Sequence, residues 1–497
     1  LNLNLFLPAN LVVEQTGSRE LNIDSISYDS RKAKPGSLFV AIRGTKTDGN
    51  NYIQAAGDSG SVAFATEDMD AYYRYRGVFR AAVLASDIRL FLAAASAAFF
   101  SNPSRKIKLV GVTGTNGKTT TTQLIYDALR RSNIKSGVIG TIGCEVDGRY
   151  CEISNTTPES IDLNHIIYDM SESGVEVCSC EVSSHSIHFN RVAFIEFTLV
   201  VFTNLTQDHL DFHSCMDDYF KCKSSIFFDK DRFKVKRSLI NIDDDYGKKI
   251  FESLKGDAAS FSLSGKADFR AENISFDEKG FRATFDIAGR KFNLNSRLNG
   301  KFNIYNSLAA VASLYLLGYD PGPICENIGK ADYIPGRFEP LKTDHDFMVI
   351  VDYAHTPDGL LNAITAAKSI ARSRVITVFG CGGNRDRLKR PIMGRISGKL
   401  SDYTVLTSDN PRYEVPEDIM SEIEEGICEV THNYIAVVDR RLAIAEALRI
   451  ARDGDIVLIA GKGHEKTQQI KDERIPFDDK LVAAEELAKI YADKERT

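Results

Sequence analysis

Short apolar runs alternate with amphipathic stretches of helical period along most of the chain, the pattern of βαβ units around parallel sheets. Segments 108–113, 136–139, 197–202, 348–351, 375–379, 403–407 and 455–459 read as strands, and several lead straight into Gly-rich or polar loops. Helical period marks 119–131 and the Ala-rich stretch 88–100, while 261–298 alternates residue by residue like antiparallel strands. In open α/β sheets ligands bind at the carboxyl ends of strands, so a site is expected in the loops after these runs.

Two places look like joints. Ser101-Asn-Pro-Ser104 follows the first helical stretch, and Ile334-Pro-Gly-Arg-Phe-Glu-Pro340 precedes a fresh strand. They divide the chain into three expected α/β domains at about 1–87, 88–335 and 336–497. There is no internal repeat and no low-complexity tract.

Composition agrees with that division. The 497 residues exceed one compact domain, and 43% hydrophobic with 26% charged residues exclude a disordered chain. With 62 Lys and Arg against 68 Asp and Glu, the net charge of −6 gives no global footprint for nucleic acid. The nine cysteines are scattered, odd in number and without a C-x-x-C pair, so reduced thiols are expected and not a disulfide framework or structural zinc site. Cys178 and Cys180 are expected as buried strand residues. No apolar run is long enough to span a membrane, and the start LNLNLFLPAN lacks the basic region and cleavage site of a signal peptide. The expectation is a soluble cytoplasmic protein with no nucleic-acid partner and no membrane insertion.

The strongest local signal is K-L-V-G-V-T-G-T-N-G-K-T-T at 108–120: a strand, a Gly-rich turn, then a helix. Backbone N–H groups at such a turn converge on one spot and favour a polyphosphate. Lys118 adds a point charge at the β/γ-phosphates and Thr119 a hydroxyl for Mg²⁺. The strict phosphate-loop spacing wants Gly five positions before Gly117, where this chain has Val112 between Gly111 and Gly114. By itself the segment could be an ordinary strand-to-helix turn. Its context favours an ATP loop of Gly114, Thr115, Asn116, Gly117, Lys118, Thr119 and Thr120.

This loop variant resembles that of the Mur ligase superfamily, ATP-dependent enzymes that join amino acids to a carboxylate. Further segments match in order: N-T-T-P at 155–158, C-E-V-S-S-H at 180–185, N-L-T-Q-D-H-L-D at 204–211 and Y-F-K-C-K at 219–223. Then come N-G-K-F-N-I-Y-N at 299–306, P-G-R-F-E at 335–339 and D-Y-A-H-T-P at 352–357. The series ends with G-C-G-G-N-R at 380–385, D-N-P-R at 409–412 and G-K-G-H-E at 461–465, so the resemblance spans nearly the whole chain. It implies a central parallel-sheet phosphate-loop ATPase domain, a small α/β N-terminal domain and a Rossmann-like C-terminal domain.

The resemblance also assigns roles. Glu181 and His209 become Mg²⁺ ligands with Thr119, although each alone would be an ordinary core or surface residue. The lysine matching Lys223 is carbamylated by CO₂ in similar ligases, whereas Lys221 should lie elsewhere on the helix surface. Lys118, Glu181, His209 and Lys223 form the expected catalytic set. Asn303 and Asn306 share a helix face near adenine, with helix capping as the plain alternative; Arg337 meets phosphate and Asp352 the ribose. Tyr28, Ser30, Thr45, Lys46 and Thr47 would hold the uridine end of a UDP-sugar peptide, and Asn155, Thr156, Thr157, Ser183 and Arg191 its sugar-peptide part. Phe189 stands where relatives often carry a polar residue, which removes one peptide contact.

The incoming amino acid is read from D-N-P-R. An Arg fork binds a carboxylate, and Asp or Glu accepts from an ammonium. Arg385, Asp409, Asn410, Pro411, Arg412, Gly461 and Glu465 therefore suit an amino acid with a second zwitterionic head, and the motif resembles that of family members adding meso-diaminopimelate. The implied reaction runs through an acyl phosphate on a UDP-muramoyl dipeptide, in a monomer, with His355 and His464 as candidates for the base. The alternatives are a relative adding lysine or extending folate, a simple phosphate-loop NTPase, and an inactive scaffold.

Overall fold

The structure, a computed structural model, describes residues 1–44, 47–343 and 345–494. Thr45 and Lys46, both expected near uridine, lie outside the described residues. The chain divides into two compact units, the first comprising Leu1–Val112, Ile134–Val200 and Cys222–Ser238, the second Thr113–Asn133, Val201–Lys221 and Leu239–Thr497.

The first unit opens with a five-stranded sheet in the spatial order Val12–Gly17, Ala81–Ala85, Ala63–Thr66, Ser37–Val40, Ser25–Ser27. Only the first pair is antiparallel. Ala63–Thr66 and Ala81–Ala85 are buried throughout, as expected of strands covered on both faces. Cores of Leu3, Ile23, Leu38, Val83 and Phe91, and of Phe39, Ile53, Phe64 and Tyr72, lie on either side. A second set of strands places Val177–Glu181 between Lys108–Thr113 and Ser136–Gly140, all parallel. It ends in the antiparallel pieces Gly143–Val146 and Arg149–Cys151. Cys178 and Cys180 are buried there, and all nine cysteines are free thiols.

The expected strand over 197–202 is broken in two, Glu196–Phe197 and Leu199–Phe202. Leu109 N–H donates to the Thr198 hydroxyl (3.3 Å) and Thr198 N–H to the Leu109 carbonyl (2.9 Å), so a side chain interrupts the strand.

The second unit carries the helix Lys118–Arg131 beside the long helix Lys301–Leu316, whose residues from Ile304 to Leu314 are largely buried. The alternating stretch 261–298 is only partly antiparallel. Phe269–Asp277, Gly280–Ile287 and Arg290–Ser296 form a meander, but Ala259–Ser262 pairs in parallel with Ser238–Asn241 and Phe269–Asp277. Alternation records which face is buried, not the direction of the neighbouring strand.

The same unit ends in a six-stranded sheet ordered Glu339–Leu341, Met348–Asp352, Ile456–Ala460, Val375–Phe379, Tyr403–Leu406, Tyr434–Ala436. All but the first pair are parallel. Helices Pro357–Ile370, Lys389–Leu400 and Pro416–Cys428 contribute to one covering core, Arg440–Ile450 and Asp479–Lys494 to the other. The last parallel strand enters between the first two, so the loops after Val375–Phe379, Tyr403–Leu406 and Ile456–Ala460 leave the same edge. Among the described residues, no helix is long and apolar enough to cross a membrane.

Candidate active site

In the second unit the phosphate loop is fixed by its neighbours. Thr203 Oγ1 donates to the Asn116 carbonyl (2.7 Å), Asn116 N–H to Asn204 Oδ1 (2.9 Å), and Thr115 N–H to the Asn204 carbonyl (2.9 Å). Gly114 has φ +143°, and a Cβ there would stand 1.9 Å from Thr203 Oγ1, so only glycine lets the loop approach this closely. Gly117 caps the helix in a left-handed conformation and provides no side-chain cap, and a helix N-terminus of this kind favours an anion. Lys118 Nζ donates to the carbonyls of Gly114 (3.0 Å) and Thr115 (2.7 Å), which holds its charge over the loop.

Arg337 Nη2 donates to Thr119 Oγ1 (2.9 Å), and the guanidinium lies 4.4 Å from the Tyr353 ring centroid. Its Nε is buried without a hydrogen-bond partner among the described residues, which suits a donor kept for phosphate. Asn116 Nδ2 donates to Asp358 Oδ2 (2.7 Å). Asn303 and Asn306 are buried and linked, with Asn306 Nδ2 donating to Asn303 Oδ1 (3.1 Å) and Asn303 Nδ2 to the Asn299 carbonyl (2.7 Å). Asn306 Oδ1 also accepts from Thr121 (3.4 Å), so the pair braces the phosphate-loop helix.

Asp352 takes N–H groups from Phe338 (2.6 Å) and Ala354 (2.7 Å). Burial still pushes its carboxyl up to about 6, against the opposing pull of Arg337 and the N–H groups of Phe338, Ala354 and Tyr353. Its ordinary value is 3.8, so the folded chain holds an extra proton between the two values. That stability is present below the ordinary value and is lost as pH rises through the folded one. The wild type, measured against Asp352→Asn, is expected to lose on the order of 2 kcal/mol of unfolding free energy from about pH 4 to about pH 7. Parallel pH profiles in urea unfolding would show that Asp352 keeps its charge.

Asp208, beside His209, is buried, which alone would raise its carboxyl; His209, His355 and Lys389 together hold it well below the usual range. His355 Nδ1 donates to the Tyr353 carbonyl (2.8 Å), the tautomer its acceptor requires, and Nε2 lies 4.0 Å from Asp208. Burial and Lys389 lower the His355 pKa, against the pull of Asp208.

In the first unit Glu181 ends its strand and is fully buried, accepting from Thr141 N–H (2.7 Å) and Thr141 Oγ1 (3.1 Å). Lys223 is 1% exposed, while Lys221 lies on the exposed side of the helix Met216–Phe228. Of the expected metal ligands, Glu181 and Lys223 thus belong to the first unit and Thr119 and His209 to the second. Among the described residues no three His, Cys, Asp or Glu side chains form a metal-holding group.

Of the sugar-peptide residues of the first unit, Arg191 and Thr157 meet beside Glu159. Arg191 Nε reaches Glu159 Oε2 (3.3 Å) and its Nη1 the Thr157 carbonyl (3.2 Å); Arg89 pairs with the same carboxylate (3.4 Å). Thr157 Oγ1 donates to the Glu181 carbonyl (2.8 Å), Thr156 Oγ1 lies 3.1 Å from Thr141 Oγ1, and Ser183 caps its helix through Ser186 N–H (3.1 Å). Asn155 is exposed, with Nδ2 donating to Ser154 Oγ (3.3 Å). At Phe189 the Arg89 and Arg191 guanidinium carbons lie 4.6 and 5.8 Å from the ring centroid. Tyr28 donates to Asp162 Oδ2 (2.7 Å), and Ser30 begins the short turn Ser30–Lys32. Thr47 is exposed.

In the second unit the amino-acid residues converge. Arg412 has φ +53°, and its backbone is held by Gln469 and Lys471 of the hairpin Thr467–Ile470/Glu473–Pro476: N–H to the Gln469 carbonyl (3.1 Å), carbonyl from Lys471 N–H (2.7 Å). Its Nη1 donates to the Gly383 carbonyl (2.8 Å). A Cβ on Gly382 would meet Arg412 Nη1 at 2.8 Å and Arg385 Cγ at 3.8 Å, which places both arginines beside one backbone. Burial and the neighbouring Arg385 lower the Arg412 pKa, so a carboxylate here would relieve repulsion between two cations. Asp409 accepts Asn410 N–H on Oδ1 (2.6 Å), and its buried Oδ2 has no partner among the described residues. A Cβ on Gly461 would stand 2.7 Å from that oxygen. Asn410 Nδ2 donates to Glu465 Oε2 (2.9 Å).

Sequence reasoning missed Thr141, Glu159, Asp162, Asp208 and Lys462, whose significance comes from partners distant in the chain. Asp208 and Lys462 alone carried a signal, since they lie inside N-L-T-Q-D-H-L-D and G-K-G-H-E.

Three family models match: Mur ligase family, catalytic domain, over residues 22–105; Mur ligase middle domain over 112–314; and Mur ligase, glutamate ligase domain over 336–463. The chain belongs to the Mur ligase family. Among its relatives, the UDP-N-acetylmuramoyl-L-alanyl-D-glutamate–2,6-diaminopimelate ligase of Caldanaerobacter subterraneus subsp. tengcongensis is 42% identical over 96% of this chain and 97% of its own. That of Alkaliphilus metalliredigens is 44% identical over 95% of both chains. A solved structure of a ligase of the same name superposes with a TM-score of 0.66 at 30% identity, covering 94% of this chain and 95% of that one.

Proposed function

We propose that this chain joins meso-2,6-diaminopimelate to UDP-N-acetylmuramoyl-L-alanyl-D-glutamate in an ATP-dependent, ADP-forming reaction of peptidoglycan precursor synthesis. The observation that carries the reading is the pocket at D-N-P-R. Arg385 and Arg412 stand side by side as carboxylate donors, and Asp409 presents a buried, unpartnered oxygen for an ammonium. Lysine has no second carboxylate to use the arginine pair, which disfavours a lysine-adding relative.

The D-glutamyl side-chain carboxylate attacks the γ-phosphate of ATP, giving ADP and an acyl phosphate. The diaminopimelate amine then attacks the acyl carbon and expels phosphate. Lys118 and the loop N–H groups stabilise charge on the transferred phosphoryl, and Arg337 adds a further donor. His355 fits less well as the base, because burial and Lys389 disfavour its protonated form. By the resemblance, Thr119, Glu181, His209 and a carbamylated Lys223 are the ligands, and oxygen donors with one imidazole are residue types that suit Mg²⁺. The ion would supply charge neutralisation on the phosphates. The burial of Lys223, against the exposure of Lys221, supports Lys223 as the lysine of that set. The three domains at 1–87, 88–335 and 336–497 take the UDP end, ATP and the incoming amino acid, in a cytoplasmic monomer.

The test is acceptor-dependent ADP release with the UDP-muramoyl dipeptide, offering meso-diaminopimelate or L-lysine. Release only with meso-diaminopimelate is expected. Release without an acceptor would favour a phosphate-loop NTPase, and preference for lysine would sink the D-N-P-R reading.

A further inference from the structure

Lys462 follows the strand Ile456–Ala460, and its side chain is fully buried. Its Nζ donates to Asn410 Oδ1 (3.1 Å), Glu465 Oε2 (3.0 Å) and the Thr467 carbonyl (2.7 Å). Three acceptors use all the protons of an ammonium, so none remains for a substrate. We propose that Lys462 is a positioning residue that fixes Asn410 and Glu465 in the orientation receiving the second ammonium of the incoming amino acid. This deepens the functional reading above and rests on it.

The geometry gives the reason. An Asn amide can face either way, but Asn410 Oδ1 accepts from both Lys462 and Gln469 N–H (2.9 Å), so its NH₂ end must face Glu465. Glu465 Oε2 is then held by two donors, Lys462 and Asn410 Nδ2, and the other carboxylate oxygen remains for a cation. Asp409 is fixed in the same manner: Oδ1 takes Asn410 N–H, its carbonyl takes Gln468 Nε2 (2.6 Å), and Oδ2 is left over. Each carboxylate is anchored by one oxygen and offers the other. The charge of Lys462 also offsets one of two acidic groups that would otherwise repel in a partly dehydrated site. Without Lys462, Asn410 loses a donor that fixes its orientation, and Glu465 loses its cationic anchor.

The experiment compares Lys462→Met with wild type on meso-diaminopimelate and on 2-aminopimelate, which keeps both carboxylates but lacks the second amine. Each is read as kcat/KM, or as a competitive inhibition constant where turnover is slow. For meso-diaminopimelate a loss of about a hundredfold is expected, with 2-aminopimelate and the KM for ATP changed less than about threefold. Lys462→Gln, which keeps amide donors, should show the same selectivity in milder form, and it serves if the Met variant does not fold. Equal losses on both acceptors would make Lys462 a merely structural residue, and no loss on meso-diaminopimelate would also overturn the proposal. Should the wild type join L-lysine instead, the functional reading fails. The comparison of L-lysine with norleucine, its analogue without the side-chain amine, then still decides the role of Lys462.

Discussion

Lys118→Ala is expected to lower acceptor-dependent ADP release on the order of a thousandfold while leaving the melting temperature nearly unchanged. The ammonium rests on the carbonyls of Gly114 (3.0 Å) and Thr115 (2.7 Å), so its charge is placed before ATP arrives and little reorganisation is needed. The loop itself is held by Thr203, Asn204 and Asn116, none of which depends on the lysine. Charge on the phosphoryl group develops during transfer, so the loss should fall mainly on kcat and less on the KM for ATP. A variant within about tenfold of the wild type in single-turnover measurements would assign the main stabilisation elsewhere.

The second large effect is expected at Arg412. Replacing it by Lys keeps the charge but removes the planar fork, and kcat/KM for meso-diaminopimelate should fall about a hundredfold, chiefly through KM. The backbone should tolerate the change, because Gln469 and Lys471 hold position 412 through main-chain bonds at 3.1 and 2.7 Å. Burial and the neighbouring Arg385 raise the cost of the charge at position 412, and a carboxylate held by the planar fork offsets it. Unchanged apparent affinity in steady-state titrations would remove Arg412 from the pocket. Equal weakening of meso-diaminopimelate and of L-lysine, the latter read as a competitive inhibition constant, would show that the change disturbs the loop and not carboxylate recognition.

Both predictions start from motifs readable in the chain. The phosphate loop is legible because strand, Gly-rich turn and helix are consecutive, so local chemistry fixes the local structure. Gly114 and Gly117 are needed there because of close approaches to Thr203 and Asn306, and those neighbours could not be seen from the loop itself. The strand runs were legible for the same reason: buried parallel strands are continuous apolar segments. The exceptions are instructive. Thr198 breaks an apolar run with its own hydroxyl, and Ala259–Ser262 pairs in parallel within a stretch whose alternation resembles a meander.

By itself, then, the sequence determined the α/β class, the nucleotide loop and the residue types that meet the incoming amino acid, because each depends on neighbours within a few positions. Only the tertiary structure decided which oxygens and protons those residues have left to offer. Among the described residues Asp409 Oδ2 keeps no partner, Phe189 lies near two guanidinium groups, and Asp352 is pushed up by burial. Lys462, an unremarkable lysine in a motif, spends every proton on Asn410, Glu465 and Thr467. Hydrogen-bond capacity and desolvation belong to groups brought together from distant parts of the chain, and that is why no local pattern could record them.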